Sequence, residues 1–278
     1  MLLSSPDEPE GPRQCAVRMT IVVAVVAAWV LVGWAAALDV DAYLLLGAPI
    51  VILFQRFVAR RPLRALWVRA APPMVLGARG WVIAAAFAIM PVVDLARSVA
   101  SQANVTVIGW DLCALAGAAG VAYALVNLRR DLLRPGIAYA ALALACGILV
   151  ITVAAMMSGR SPWIAPACLM SFVRDLLLYL PVTFVIEEVA FRGAFDSFVG
   201  GTAIKGAAAI GTAIVVAALW GLWHWPLMPD PWHALVALRL IAVHVPIGVF
   251  LALSWRWGAR CRGPHSRTRS STLGAMRC

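Results

Sequence analysis

The feature that most limits what this chain can fold into is a series of apolar blocks, each of a length suited to crossing a bilayer. Eight can be counted, at roughly 17–38, 42–58, 81–100, 105–127, 137–157, 168–198, 203–225 and 234–256; about 20 apolar helical residues span the hydrocarbon. Lipid offers no water to satisfy an exposed backbone, so only helices or closed barrels cross it, and these runs do not alternate as barrel strands do. The expected fold class is all-α, a polytopic transmembrane helix bundle of about eight spans. Two of these blocks carry a proline, Pro49 in the short second and Pro181 in the long sixth. Composition agrees: of 278 residues 63% are hydrophobic and 13% charged, against about a quarter charged in a soluble domain. That excludes a water-soluble enzyme and a disordered chain. The six cysteines, Cys15, Cys113, Cys146, Cys168, Cys261 and Cys278, form no C-x-x-C pair, which argues against a zinc cluster or a disulfide framework.

The net charge of +10 raises nucleic acid as a partner, but placement argues against it. The arginines gather at alternate ends of the apolar blocks. Arg13 and Arg18 flank the first, Arg56, Arg60, Arg61, Arg64, Arg69 and Arg79 fill the loop after the second, and Arg129, Arg130 and Arg134 follow the fourth. Lys205 follows the sixth, and Arg256, Arg260, Arg262, Arg267 and Arg269 follow the eighth. They read as topology determinants that keep both termini cytoplasmic. Ala35 and Ala37 mimic a signal cleavage site, but the block before them is too long and its leader carries Asp7, Glu8 and Glu10, so an uncleaved first span is expected.

Charged groups inside apolar helices are functional candidates by default. The strongest cluster is Val185-Ile186-Glu187-Glu188-Val189-Ala190-Phe191-Arg192-Gly193. Glu188 and Arg192 are four apart and share a helix face, with the acid on the favourable N-terminal side. Glu187 lies about 140° around from Arg192 at 3.6 residues per turn. Arg192 can therefore neutralise Glu188 and leave Glu187 without a helix-local cation, poised as a general base toward water. A structural ion-pair network at a helix end explains the same spacing. The second cluster is Trp220-Gly221-Leu222-Trp223-His224-Trp225-Pro226. Trp220 and His224 share a face, so the indole can pack the imidazole in place; a neutral histidine can ligate a metal, accept a proton or donate to an oxyanion. An interfacial histidine in an aromatic belt is the plainer account. His244 lies inside the last block, and bonding to a carbonyl freed near Pro246 is its structural explanation. His233 and His265 are expected in solvent, Asp94–Arg97 and Arg174–Asp175 as self-neutralising pairs, and Arg239 as a snorkelling side chain; Asp111 has no obvious partner. Counted from Thr202, Glu187 and His224 differ in depth by roughly 10 Å at 1.5 Å per residue.

The pattern Glu187-Glu188…Arg192-Gly193 followed by Trp220…His224 resembles the CAAX protease and bacteriocin-processing (CPBP, or Abi) family of intramembrane proteases. The resemblance covers about 165–257. It implies a helical bundle with a site in a membrane cavity and hydrolysis of a peptide bond near the C-terminus of a prenylated or other membrane-associated peptide or protein. Carried over residue by residue, Glu187 activates water, Arg192 positions Glu188 and the helix, and His224 stabilises the oxyanion or binds a metal. It leaves two mechanisms open, a metal-free glutamate or a divalent zinc ion held by Glu187 and His224. One departure stands out. Family members carry a further His-x-x-x-Asn (or Asp) pair, whereas His244 is followed four later by Gly248 and serves only as a fallback second histidine. The polar tail from Gly258 cannot form a span. A one-base shift lets the codons at Thr268 and Thr272 encode a His and an Asp or Asn, so the tail is expected to be an out-of-frame reading of the missing pair.

The organisation expected is a cytoplasmic leader (1–16), N-terminal transmembrane helices (17–163), a catalytic core (164–257) and the tail (258–278), in a multi-pass protein of a bacterial plasma membrane. The alternatives are a catalytically inactive relative acting as a membrane binding or immunity protein, and a small transporter using Glu187, Asp111 and His244 as proton relays.

Overall fold

The structure is a computed structural model; it describes residues 12–69, 72–127, 130–157, 181–182, 184–200, 206–229 and 233–260. Among these there are no strands and eight helices. They are α1 (Pro12–Ala36), α2 (Val40–Leu53), α3 (Gly77–Ala100), α4 (Val105–Val126), α5 (Arg130–Met157), α6 (184–200), α7 (Gly206–Trp223) and α8 (Ala234–Arg260). The all-α expectation is borne out. Among the described residues, six helical stretches are long and apolar enough to cross a membrane: Arg13–Ala36, Val40–Val58, Gly77–Ala100, Val105–Val126, Gly206–Leu227 and Ala234–Arg256. The protein is a multi-pass integral membrane protein. In α5 the apolar stretch is the shorter Ile137–Leu149, and the first part of the expected sixth span, with Arg174 and Asp175, lies outside the described residues.

Local signals set several helix ends. Asp39 and Asn104 cap α2 and α4, their side chains accepting from the amides of Ala42 at 2.8 Å and Val107 at 2.9 Å, which satisfies one of the donors every helix start leaves bare. The second block, short and expected from its sequence to be interrupted at Pro49, is not: α2 runs through Pro49 to Leu53 and continues as a π-type turn over Phe54–Val58. Proline is tolerated in membrane helices because neighbouring groups satisfy the carbonyl it frees.

Three helix pairs build the frame: α3 packs on α4, α5 on α8 and α7 on α8. The hub is α6, touched by α2, α4, α7, α8 and the short 3-10 turn Leu63–Leu66. Every residue of α6 from Val189 to Gly200 is buried, as expected of a helix surrounded by others. The rest of the core is aromatic. Trp29 stacks on Tyr43 with ring centroids 4.9 Å apart, and Phe191 meets Trp223 edge-on at 5.5 Å.

Glycine permits the closest approaches to α6. A Cβ at Gly193 would lie 2.2 Å from the Leu66 carbonyl oxygen, and one at Gly117 of α4 would lie 2.1 Å from the Pro181 oxygen. The glycine after Arg192 thus has a packing reason: backbone of the Leu63–Leu66 turn passes where a side chain would stand. Gly193→Ala is expected to destabilise the protein by about 1–3 kcal/mol, the usual range for overpacking. Thermal unfolding in detergent checks this, with Gly211→Ala, where a Cβ meets nothing within 4 Å, as the neutral control.

Candidate active site

The signature acids lie on an unusual piece of backbone. Phe184–Asp196 is wound as a π-helix, followed by one α-turn over Ser197–Gly200. The helix-face argument from sequence assumed 3.6 residues per turn; the observed winding is wider, with i→i+5 bonds of the kind that concentrate at functional sites. The expected pairing nevertheless forms: Arg192 Nε lies 3.7 Å from Glu188 Oε2. Arg192 is 1% exposed, and its guanidinium nitrogens have no hydrogen-bond partner among the described residues. It sits over the Trp220 ring, 5.3 Å from the centroid, so the cation is held by a carboxylate and an aromatic face.

Glu187 finds its partner across the bundle. Its Oε1 is 3.4 Å from Nε2 of His224, so the depth offset expected from residue counting is absent. That count pivots on Thr202, whereas α6 ends at Gly200 and α7 begins at Gly206, so the two residues lie 13 and 18 residues from their helix ends and the offset narrows. His224 follows the last residue of α7, and Tyr43 of α2 anchors its turn by donating from its hydroxyl to the Trp223 carbonyl at 2.9 Å. The other nitrogen, Nδ1, is 2.9 Å from the Trp220 carbonyl oxygen. A carbonyl only accepts, so Nδ1 carries the hydrogen, and in a neutral ring Nε2 is then an acceptor. A carboxylate oxygen and an imine nitrogen cannot hydrogen-bond each other without a shared proton. Glu187 and His224 therefore form a proton-sharing dyad.

His244 of α8 joins them. Its ring stacks on that of His224 with centroids 5.0 Å apart and planes 23° apart, and Trp220 meets it edge-on at 4.7 Å. Trp220 thus packs His244 rather than His224, contrary to the pairing read from the sequence. The carbonyl that fixes His244 also differs from the one expected near Pro246. Nδ1 bonds the Leu240 oxygen at 2.7 Å, one helical turn back, instead of the carbonyl that proline frees. Of the remaining candidates, Asp111 is buried between α3 and α4 close to Ser98 and Asp94, away from this cluster. His233 is exposed, and His265 and the tail lie outside the described residues.

Among the described residues the donor set does not fit the zinc option. A catalytic zinc takes three protein ligands at roughly 2.0–2.2 Å for nitrogen and oxygen. No group of three His, Cys, Asp or Glu able to hold a metal ion occurs among the described residues. The near-parallel planes of His224 and His244, 5.0 Å apart, do not converge on one ion.

Sequence reasoning missed the clamp beneath the site. Asp196, fully buried, receives a two-pronged guanidinium from Arg256 of α8, whose Nε lies 3.1 and 3.0 Å from its two oxygens and whose Nη2 also bonds Oδ1. Arg256 further donates to the Ala209 carbonyl of α7. Arg61 Nη1 donates to the Ser197 carbonyl at 2.8 Å, and Arg18 Nη1 to that of Phe198 at 3.3 Å. These arginines, read as topology determinants, also neutralise the negative end of α6. Asp196 had a signal, a lone acid four residues after Arg192 in an apolar run; Arg256 had none, because a span-end arginine looks the same whether it caps or snorkels. Asp196→Asn leaves Arg256 buried without its counter-charge and is expected to cost about 3–5 kcal/mol, whereas Asp196→Leu with Arg256→Met recovers most of it. Denaturation of the variants in detergent measures both.

Residues 169–262 match the family model described as "Rce1-like: Type II CAAX prenyl endopeptidase Rce1-like". The match covers both motifs, so the resemblance drawn from Glu187-Glu188…Arg192-Gly193 and Trp220…His224 is borne out over that segment. Comparison with curated proteins and with solved structures gives no significant match.

Proposed function

We propose that the protein is an intramembrane endopeptidase of the CPBP type, with residues 164–257 as its catalytic core and a membrane-associated peptide or protein as substrate. The observation that carries this reading is the Glu187–His224 contact of 3.4 Å, which sets a carboxylate against a ring nitrogen whose tautomer the Trp220 carbonyl fixes. In the resting dyad the shared proton sits between Oε1 and Nε2. Glu187 takes a proton from water as the resulting hydroxide attacks the scissile carbonyl, forming the carbon–oxygen bond of a tetrahedral intermediate. His224, its Nε2–H released from Glu187, donates to the new oxyanion. The intermediate then breaks its carbon–nitrogen bond, and the proton held by Glu187 passes to the leaving amine, restoring the carboxylate. Glu188 and Arg192 neutralise one another, so Arg192 does not compete for Glu187. His244 is the remaining ring beside the dyad and takes the place of the family's second histidine.

The missing His-x-x-x-Asn pair favours a second reading, in which the chain is an inactive relative that binds its membrane peptide without cutting it. The out-of-frame account of the tail belongs with that reading, and resequencing the gene against its translation checks it.

Proteoliposomes carrying the wild type and Glu187→Ala, given a membrane peptide, separate the readings. Loss of at least about a hundredfold in Glu187→Ala is expected of a general base. Equal cleavage by both, or none by either, removes the peptidase. Because the described residues do not assemble three ligands, exhaustive chelation is expected to leave the wild-type rate within about twofold, whereas loss restored by added zinc would reinstate the metal.

A further inference from the structure

The segment that leaves α2 toward α3 has two unlike faces. Its inner face is fastened to α6. Phe54 meets Phe195 and Phe198 edge-on at 5.0 and 5.2 Å, Arg61 donates to the Ser197 carbonyl, and the Leu66 carbonyl lies against Gly193. Gln55, fully buried, donates from its amide to the Pro62 carbonyl at 3.2 Å. The outer face carries Arg56 and Arg60, both exposed. Neither makes a hydrogen bond or ion pair among the described residues, and no Asp or Glu occurs in the sequence between Asp41 and Asp94. Beside them Phe57 is 68% exposed and Leu53, four residues back along α2, is 54% exposed. A topology signal needs only charge near the end of a span; it needs neither a fastened loop nor backbone strain. Arg60 has a φ of 53°. On either side of it the amides of Ala59 and Arg61 bond back to the Phe54 and Gln55 carbonyls at 2.9 and 3.0 Å. Arg60 is thus the left-handed residue that closes the π-type turn, a place where glycine is usual and a side chain costs free energy. Strain kept at one residue points to a use for its side chain.

We infer that this outer face is a binding site for an anionic phospholipid, its phosphate held by Arg56 and Arg60 and an acyl chain lying along Phe57 and Leu53. The ligand class follows from the two kinds of group. Planar guanidinium groups match phosphate oxygens with paired hydrogen bonds, and the exposed apolar pair beside them suits a ligand that carries hydrocarbon on its anionic head. The membrane-crossing stretch Val40–Val58 ends between Arg56 and Arg60, which sets both at the boundary where headgroups lie. An arginine cluster at that boundary is the usual recognition element for anionic lipid; here the turn is held from within, so the cluster is preorganised rather than loose. The same fastening gives the site a reach. A lipid gripped outside is tied, through Phe54, Arg61 and Leu66, to the helix that carries Glu187 and Glu188. The assignment does not depend on whether the chain cuts peptides.

The test is lipid binding. Tail-labelled phosphatidylglycerol and tail-labelled phosphatidylcholine are each titrated into the full chain in neutral detergent, with energy transfer from tryptophan as the readout. The wild type is expected to bind phosphatidylglycerol at least about tenfold tighter, since each arginine near a headgroup contributes about fivefold. Arg56→Gln and Arg60→Gln are each expected to cut the preference about fivefold, and the double variant to bind the two lipids alike. Arg60→Gly separates side chain from backbone: it is expected to unfold at no lower temperature than the wild type in the absence of lipid, yet to lose the preference as Arg60→Gln does. Arg239→Gln removes the same charge ~25 Å from Arg256 along α8, toward the other end of the bundle, and is expected to keep the preference. Equal binding of the two lipids by the wild type overturns the assignment, as does a preference that survives in Arg60→Gly or in the double variant. An equal loss in Arg239→Gln means attraction by net charge alone and also overturns it. Soluble glycerol phosphate at the same concentration is expected not to displace the labelled lipid; displacement by it gives the site to a free phosphate and overturns the lipid.

Discussion

One side chain ties together the three helices that carry the candidate chemistry. Arg256 leaves α8, grips both oxygens of Asp196 on α6 and reaches the Ala209 carbonyl of α7. Glu187, His224 and His244 sit on, or at the end of, those same three helices. Within an apolar bundle an ion pair of this kind is not chosen for net stability, because desolvating two charges offsets most of their attraction. What it supplies is register. Any slide of α8 against α6 separates charges that have no water to turn to, so the relative depth of the three helices has one low-energy value. The contact between Glu187 and His224 needs that value, since the chain between them does not supply it by length.

Around that clamp, close packing does what hydrophobicity cannot. Lipid tails are as apolar as leucine, so membrane helices associate through close fit and polar contacts rather than through escape from water. The fit here is made by glycine at Gly117 and Gly193 around α6, and again at Gly221, where a Cβ would lie 2.7 Å from the Leu240 carbonyl. That last approach brings α7 and α8 near enough for two imidazoles to stack. Beneath them Trp29, Tyr43, Phe191 and Trp223 form a rigid floor, and the Tyr43 hydroxyl holds the end of α7 just before His224.

Much of this was legible in the residues. Block length and apolarity announced the helices, and the cost of charge in lipid singled out Glu187, Glu188, Arg192 and His224, which the structure gathers into one cluster with His244. The pairing of Glu188 with Arg192 followed from their spacing. What the sequence could not express depends on winding and on where the helices end. The π-type backbone of α6 leaves no mark in its side chains, and helix counting placed Glu187 and His224 at different depths because it pivoted on Thr202, whereas α6 ends at Gly200 and α7 begins at Gly206. Trp220 shares a helical face with His224 yet packs edge-on with His244 of the neighbouring helix, a partner that local spacing cannot reveal. Arg18, Arg61 and Arg256 look like any arginines at the ends of spans; their second task as caps depends on where α6 ends, which is a fact of tertiary structure.

The two imidazoles share a further property. Each ties Nδ1 to a carbonyl of its own chain four residues back, Trp220 for His224 and Leu240 for His244. Each ring's Nδ1 is thus fixed by the segment that bears it. When the surrounding lipid thins or thickens and the helices rock, the gap between the rings can change while the nitrogen each presents stays the same. Chemical identity is held locally and only proximity is left to the assembly, which suits a reagent that must work in a solvent of fluctuating thickness.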